Sequence, residues 1–127
     1  MSRAFLALDP ELRLACGAVL LGVAAADGVI DDDELLPILG DLDLDTLPPD
    51  AVQRLASWVI HPPAVDGFAS RLASQGSAVR FGLVARLLEI AGTDAFLAPG
   101  ELERLTHAAH LLGVDDDQLG ALRVFVS

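Results

Sequence analysis

A stretch of thirteen uncharged and almost entirely apolar residues, 14–26, constrains the fold of this chain more than any other feature. Asp9, before it, is suited to cap a helix, and Pro10 to occupy the first helical position. Asp27 and Gly28 follow it, and glycine readily adopts the left-handed conformation that ends a helix. Because the stretch is apolar on every side, it predicts a central helix with neighbours all round. Thirteen residues are too few to span a bilayer.

Helical signals continue along the rest of the chain. Alanine and leucine dominate, and sustained alternation of apolar and polar residues is absent. Further helices are expected at residues 32–39, 49–60, 64–73, 78–91 after the cap Ser77, 99–112 before Gly113, and from 116 onward. A chain of 127 residues can bury its own core. We therefore predict an all-α, single-domain bundle of about seven helices over residues 1–127.

The charge of the chain is strongly acidic. Nineteen acids face eight bases, all of them arginine, and the formal net charge is −11. Nucleic acid is an unfavourable partner for such a surface, since its phosphates would be repelled. Residues 27–50 hold nine of the acids and no base. This local field suits cations or a basic protein partner, for which we expect Asp41, Asp43 and Asp45 to form the docking surface.

The N-terminus and the single cysteine bear on the cellular compartment. The segment MSRAFLALDPE lacks the longer apolar run and the small-residue cleavage site of a signal peptide, which predicts a cytoplasmic protein. Cys16 permits no internal disulfide and no cysteine-based zinc site. Its apolar neighbours indicate a small core residue and not a nucleophile.

The chain contains an internal repeat. When it is shifted by 67 residues, LLGVAAADGVIDDDELLPIL lies over LLEIAGTDAFLAPGELERLT. Asp27 then meets Asp94, and Glu34 meets Glu101, so an aspartate and a glutamate stand seven residues apart in both copies. Each copy, about 12–44 and 79–111, reads as helix, tight connection, helix. We expect the two copies to pack as pseudo-symmetric helix-turn-helix repeats.

Helix capping alone accounts for part of the acidic motif. With Asp31 as the cap, Glu34 takes the third helical position of a capping box, while Ile30 and Leu35 form the flanking hydrophobic staple. The segment VDDDQL repeats this logic at the start of the last helix. Capping leaves Asp27 and Asp94 unexplained.

A metal site is the alternative interpretation of the same residues. The segment DGVIDDDE matches the last eight positions of a calcium-binding EF-hand loop, but Val23 and Ala25 would stand at the first and third ligand positions and cannot coordinate. Since Ca²⁺ needs six to eight oxygens, neither copy forms a complete loop alone. A shared site would draw carboxylates from both copies, and such oxygens select Ca²⁺, Mg²⁺ or Mn²⁺. The candidate metal ligands are Asp27, Asp31, Glu34, Asp94 and Glu101.

This pattern resembles the TerB-like family of tellurite-resistance proteins. The match is carried by Ala26, Asp27, Gly28, Ile30 and Glu34, then by Asp94, Leu97 and Glu101, and it extends from about residue 12 to 122. The resemblance implies an all-helical fold with two similar halves, a cluster of acids that chelates metal, and a role in tellurite or other stress responses. Ala95 stands where the family has glycine, which favours one shared site, or none, over two.

Other candidate sites are weaker. His107 and His110 stand three apart on one predicted helix, with Glu103 one turn earlier, and could form a two-histidine metal face or simply lie at the surface. Arg80 or Arg86 could neutralise the acid cluster in place of a metal. A nucleophile-elbow motif is absent, and the chain has no lysine for P-loop or Schiff-base chemistry. We therefore expect no enzymatic activity, and either a cation-binding stress protein or an acidic interaction module.

Overall fold

The computed structural model describes residues 8–25, 32–91 and 99–126. Seven α-helices lie within these ranges, together with a short 3₁₀ turn at Leu44–Thr46. In chain order they are α1 (Pro10–Ala24), α2 (Asp32–Leu42), α3 (Pro49–Ile60), α4 (Val65–Leu72), α5 (Ser77–Ala91), α6 (Pro99–Leu111) and α7 (Asp116–Val126). The described residues contain no strand, and the predicted all-α fold is confirmed.

Helix α1 is the centre of the bundle, as its apolar sequence predicted. Every residue from 13 to 25 is buried, and α1 packs against α2, α3, α4, α5 and α6. Its start is fixed by Asp9, whose carboxylate accepts a hydrogen bond from the backbone N–H of Leu12 at 2.9 Å. The other helices therefore take their positions from their contacts with α1.

Helix α2 is longer than its sequence predicted. Gly40 is a typical stop signal, which is why the helix was expected to end near residue 39. Instead Ile38 and Leu42, one turn apart, are both completely buried, so their packing against the core extends the helix by almost a turn. The buried Arg13 of α1 donates a hydrogen bond to the Leu42 carbonyl at 3.2 Å and satisfies the end of the helix.

The remaining boundaries follow local signals closely. Helix α3 occupies its predicted range, and α6 ends one residue earlier than predicted, before Gly113, whose φ of +81° is readily adopted by glycine. At the start of α7, Asp115 and Gln118 form the predicted capping box: each side chain accepts from the other's backbone N–H, at 2.8 and 3.0 Å.

The two proposed copies of the repeat correspond to the pairs α1–α2 and α5–α6. Helices within each pair are in contact, α1 contacts α5, and both cross-contacts, α1 with α6 and α2 with α5, are present. Arg13 and Arg80 are 67 residues apart, and each donates to a carbonyl at the end of the second helix of its own pair, that of Leu42 or of Leu112. These contacts are compatible with pseudo-symmetry, and the symmetry itself stays a prediction.

No helix in the described ranges is both long enough and apolar enough to cross a membrane.

Candidate functional site

The predicted metal ligands fall largely outside the described part of the chain. Asp27, Asp31 and Asp94 lie outside the described residues altogether. Glu34 and Glu101 are the third residues of α2 and α6, and their side chains also lie outside the described part. The same holds for the proposed capping box at Asp31. The structure does describe the ends of α1 and α5, which precede Asp27 and Asp94 in the chain, and the helices α2 and α6, which carry Glu34 and Glu101.

A hydrogen bond joins the end of α1 to the beginning of α6. Arg104 donates from Nη1 to the Gly22 carbonyl at 3.1 Å. Arg104 lies three residues after Glu101, about one turn along the same helix, and Gly22 lies five residues before Asp27. The last turn of α1 thus lies beside the first turns of α6. The guanidinium also suits the negative end of the α1 dipole.

The same end of α1 is also approached closely by the chain entering α4. A Cβ placed on Gly22 would stand 2.5 Å from Cγ2 of Val65 and 3.1 Å from the carbonyl oxygen of Pro63. Only a residue without a side chain allows this approach. Three elements therefore converge where α1 ends: the start of α4, the first half of α6, and α1 itself.

A cleft of about 340 Å³ lies between α4 and α6 beside this junction. Its walls combine an apolar floor with two carboxylates, a guanidinium and an imidazole, and they are formed by Ala64, Val65, Asp66, Glu103, Arg104 and His107. Of these groups, Arg104 is already engaged with α1. The cleft is therefore an open, mixed-charge feature beside the end of α1.

The two histidines of α6 engage different partners. Nε2 of His107 lies 3.1 Å from Oδ1 of Asp66, and Nε2 of His110 lies 2.6 Å from Oδ1 of Asp116. They thus link α6 to α4 on one side and to α7 on the other. Within residues 8–25, 32–91 and 99–126, no group of three or more His, Cys, Asp or Glu side chains could hold a metal ion. The two-histidine metal face gains no support from these contacts.

The arginines expected near the acid cluster have other partners. Arg80 donates to the carbonyls of Gln75 and Leu112, each at 3.0 Å. Arg86 forms an ion pair with Asp41 and a second, at 3.3 Å, with Glu89. Asp41 is only 6% exposed, so the expectation that it belongs to an acidic docking surface is wrong. It is buried because it pairs with Arg86 across the α2–α5 contact.

Most of the arginines whose contacts are described bind groups on other parts of the bundle. Arg13, Arg80 and Arg104 hold backbone carbonyls, and Arg86 holds carboxylates. Many acids, in contrast, point outward, including Asp45, Asp50, Asp115 and Asp117. Among the described residues, exposed acids therefore outnumber exposed arginines, which are Arg54, Arg71, Arg104 and Arg123.

Sequence reasoning did not identify the Arg104–Gly22 contact. Its partners are 82 residues apart and belong to no local motif, so no pattern in a single sequence signals it. The correspondence between Arg13 and Arg80 could have been found in the sequence, because the two residues coincide when the chain is shifted by 67.

A family model described as "Tellurite resistance protein TerB" matches residues 13–124, nearly the whole chain. No curated protein and no solved structure matches.

Proposed function

This chain belongs to the TerB family of tellurite resistance proteins, and we propose that it binds a divalent cation through carboxylates from both copies of its repeat, without catalysing a reaction. In this proposal Asp27, Glu34, Asp94 and Glu101 supply four carboxylates, and Asp31 and water complete the shell. Ca²⁺, Mg²⁺ and Mn²⁺ are the candidates because all three prefer oxygen ligands. The protein acts in tellurite or related stress as a cation-responsive binding module.

The observation that carries the proposal is the hydrogen bond between Arg104 and the Gly22 carbonyl. It brings the beginning of α6, which carries Glu101, to the end of α1, from which the Asp27 segment departs. A shared site requires this proximity, since neither acidic turn has enough oxygens alone. A chain with these helix ends on opposite sides of the bundle could not form it.

The sequence adds a second argument. In the second copy, Ala98, Pro99 and Gly100 offer neither a good cap nor a first-turn charge, yet Asp94 and Glu101 are present at the same spacing. Capping therefore accounts for Asp31 and Glu34 in the first copy, and it leaves Asp27 and Asp94 unexplained. A ligand role accounts for both.

Arg104 lowers the affinity that we expect of the proposed site for a divalent cation. A guanidinium one turn from Glu101 attracts the same carboxylates that a cation would need, and it repels the cation. Because the Arg104 side chain is exposed, water screens part of this effect. We therefore expect weak binding.

Thermal unfolding tests the proposal. A ligand bound only by the native state raises the melting temperature by mass action. We expect the chain to melt higher in millimolar Ca²⁺, Mg²⁺ or Mn²⁺ than in EDTA, and Asp27→Asn or Asp94→Asn to abolish the difference. Asp45→Asn, an exposed acid in the same acidic segment, is the matched control and should keep it. Identical melting in all solutions would contradict the proposal.

A second candidate function is an acidic interaction module with a purely structural acidic motif. It is favoured by the segment that carries Asp43 and Asp45, in which Asp43 is half-buried, Asp45 is exposed and no basic residue occurs. Charge reversal at these two positions should weaken capture of that partner, while Asp27→Asn and Asp94→Asn should not. Pull-down with elemental analysis of the purified protein distinguishes the two functions.

A further inference from the structure

The outer face of α3 has no cover from the described bundle. This helix packs mainly on α1, through the buried Ala51 and Leu55. Its opposite side forms one exposed stripe at helical spacing, made of Asp50, Gln53, Arg54, Ser57 and Ile60. Ile60, the last residue of the helix, is 73% exposed, an unusual position for a large aliphatic side chain beside polar residues.

Charge is ordered along this stripe. The chain reaches α3 through a segment that carries Asp43 and Asp45 and no base, and Asp50 lies in the first turn. One turn later the sign changes at Arg54. Arg54 also lies 3.6 Å from Oε1 of Glu11, in the first turn of α1, and both side chains remain exposed. The face thus has Asp50 at its start and the Arg54–Glu11 pair one turn later.

The second half of α3 adjoins a group of aromatic and arginine side chains. Arg54 lies over the ring of Trp58, with 5.5 Å from its guanidinium carbon to the ring centroid. Trp58 meets Phe68 of α4 edge to face at 5.3 Å, and Arg71 lies over Phe68 at 5.9 Å. Both rings are partly exposed. Aromatic residues and arginine are the types most enriched in protein interfaces.

A helix face with an aspartate in its first turn and an arginine one turn later is complementary to itself when one copy is turned around. We propose that the outer face of α3 is the interface of a two-fold symmetric homodimer, in which the α3 helices of two copies pack antiparallel. Asp50 then faces Arg54 of the second copy, and the reverse pair forms by symmetry, as in any isologous interface. Ile60 comes to lie over the 3₁₀ turn of the second copy.

Two physical effects bear on this dimer. The net charge of −11 on each copy opposes association, but at an ionic strength of about 0.15 M charges more than roughly 8 Å apart are largely screened, while pairs partly buried in an interface are screened less. The helix dipole also favours acids at the start of α3 within a single chain. That effect does not account for an exposed Ile60 next to the aromatic group.

Sedimentation velocity over a range of protein concentrations in 0.15 M NaCl tests the proposal directly. The natural chain should pass from monomer to dimer as its concentration rises. Ile60→Ser should raise the dissociation constant by about tenfold or more. The matched control is Leu36→Ser on α2, which removes a 68% exposed leucine and should leave the dissociation constant unchanged.

A charge exchange tests the orientation. Asp50→Arg and Arg54→Asp should each weaken the dimer, because like charges then meet across the interface. The double variant, which carries both changes, restores opposite charges in reversed order and should recover most of the affinity. Trp58, the only tryptophan, reports the same transition by its fluorescence. Thermal melting of each variant establishes that it is folded.

Three results would overturn the proposal. The first is a natural chain that stays monomeric at every concentration, which would leave the face to a different partner. The second is a dimer that Leu36→Ser dissociates and Ile60→Ser does not. The third is a folded double charge variant that associates no better than the single ones.

Discussion

Cys16 illustrates how far the centre of α1 is removed from water. The thiol is buried, and burial raises its pKa to about 12, because the thiolate would lose its hydration. The ordinary value for the thiol is 9.0. The neutral thiol therefore behaves as a small apolar group, and the prediction that Cys16 is a core residue is confirmed.

The reactivity of Cys16 follows from this environment. Since only the thiolate attacks a disulfide reagent, native protein at pH 8 should react with dithionitrobenzoate very slowly, and protein in concentrated guanidinium chloride should react at once. The absorbance of the released thiolate measures both rates. Fast labelling of the native chain would mean that the centre of α1 opens readily.

The same thiol contributes to the dependence of stability on pH. Its folded-state pKa lies above its unfolded value, so its contribution is complete below about pH 9 and is lost as the pH rises towards 12. We expect Cys16→Ala to lose less stability than the natural chain over this interval, as measured by urea unfolding. If the two proteins lost equal stability as the pH rises, the effect could not be assigned to the Cys16 thiol.

At the scale of the elements, a buried ion pair ties α2 to α5. Asp41 is almost fully buried, and Arg86 keeps about a fifth of its side chain in water. A single substitution leaves a charge in a poorly solvated place, whereas replacing both removes the problem. The pair thus joins α2 to α5 and fixes the C-terminal end of the helix that carries Glu34.

A double-mutant cycle measures this coupling. Asp41→Leu and Arg86→Met should each lower the free energy of unfolding by about 3 kcal/mol, at the lower end for buried pairs because Arg86 is partly exposed. The double variant should lose clearly less than the sum of the two. Urea denaturation of the four proteins gives the values, and strictly additive losses would mean that the pair has no coupling energy.

Substitutions at two glycines within helices distinguish the effect of close packing on stability from the effect of helix propensity. Replacing glycine by alanine within an exposed helix stabilises it by about 1 kcal/mol. Gly82, in α5, has open space around its Cβ position, and Gly82→Ala should show that gain. Gly22→Ala should instead cost about 1–3 kcal/mol, because its Cβ would overlap Val65.

Thermal or urea unfolding of these two variants tests how closely α4 approaches α1. A stabilising Gly22→Ala would show that α4 moves away at little cost, and it would weaken the argument that α4 and α6 converge on the end of α1.

The sequence predicted the helices well because their ends are set locally. Asp9 with Pro10, and Asp115 with Gln118, are capping signals that act within four residues. The end of α2 was missed because Leu42 is held in the helix by burial and by Arg13, 29 residues away. The same reason explains the error over Asp41: its partner Arg86 is 45 residues distant, and a run of acids by itself resembles an exposed surface.

For the whole molecule, the family and the all-helical architecture could be predicted from sequence, and the convergence on the end of α1 could not. The repeat indicated that two acidic turns exist, and only the tertiary contact between Arg104 and Gly22 places α6 beside the helix from which the first turn extends. Our proposal is that one cation is shared between the two turns.

Isothermal titration calorimetry with Ca²⁺ tests that claim most directly, since it counts ions as well as detecting them. We predict one ion for each chain in the natural protein, and complete loss of the binding heat in Asp27→Asn and in Asp94→Asn alike. Two ions for each chain, or a heat that survives either substitution, would contradict a site built from both turns.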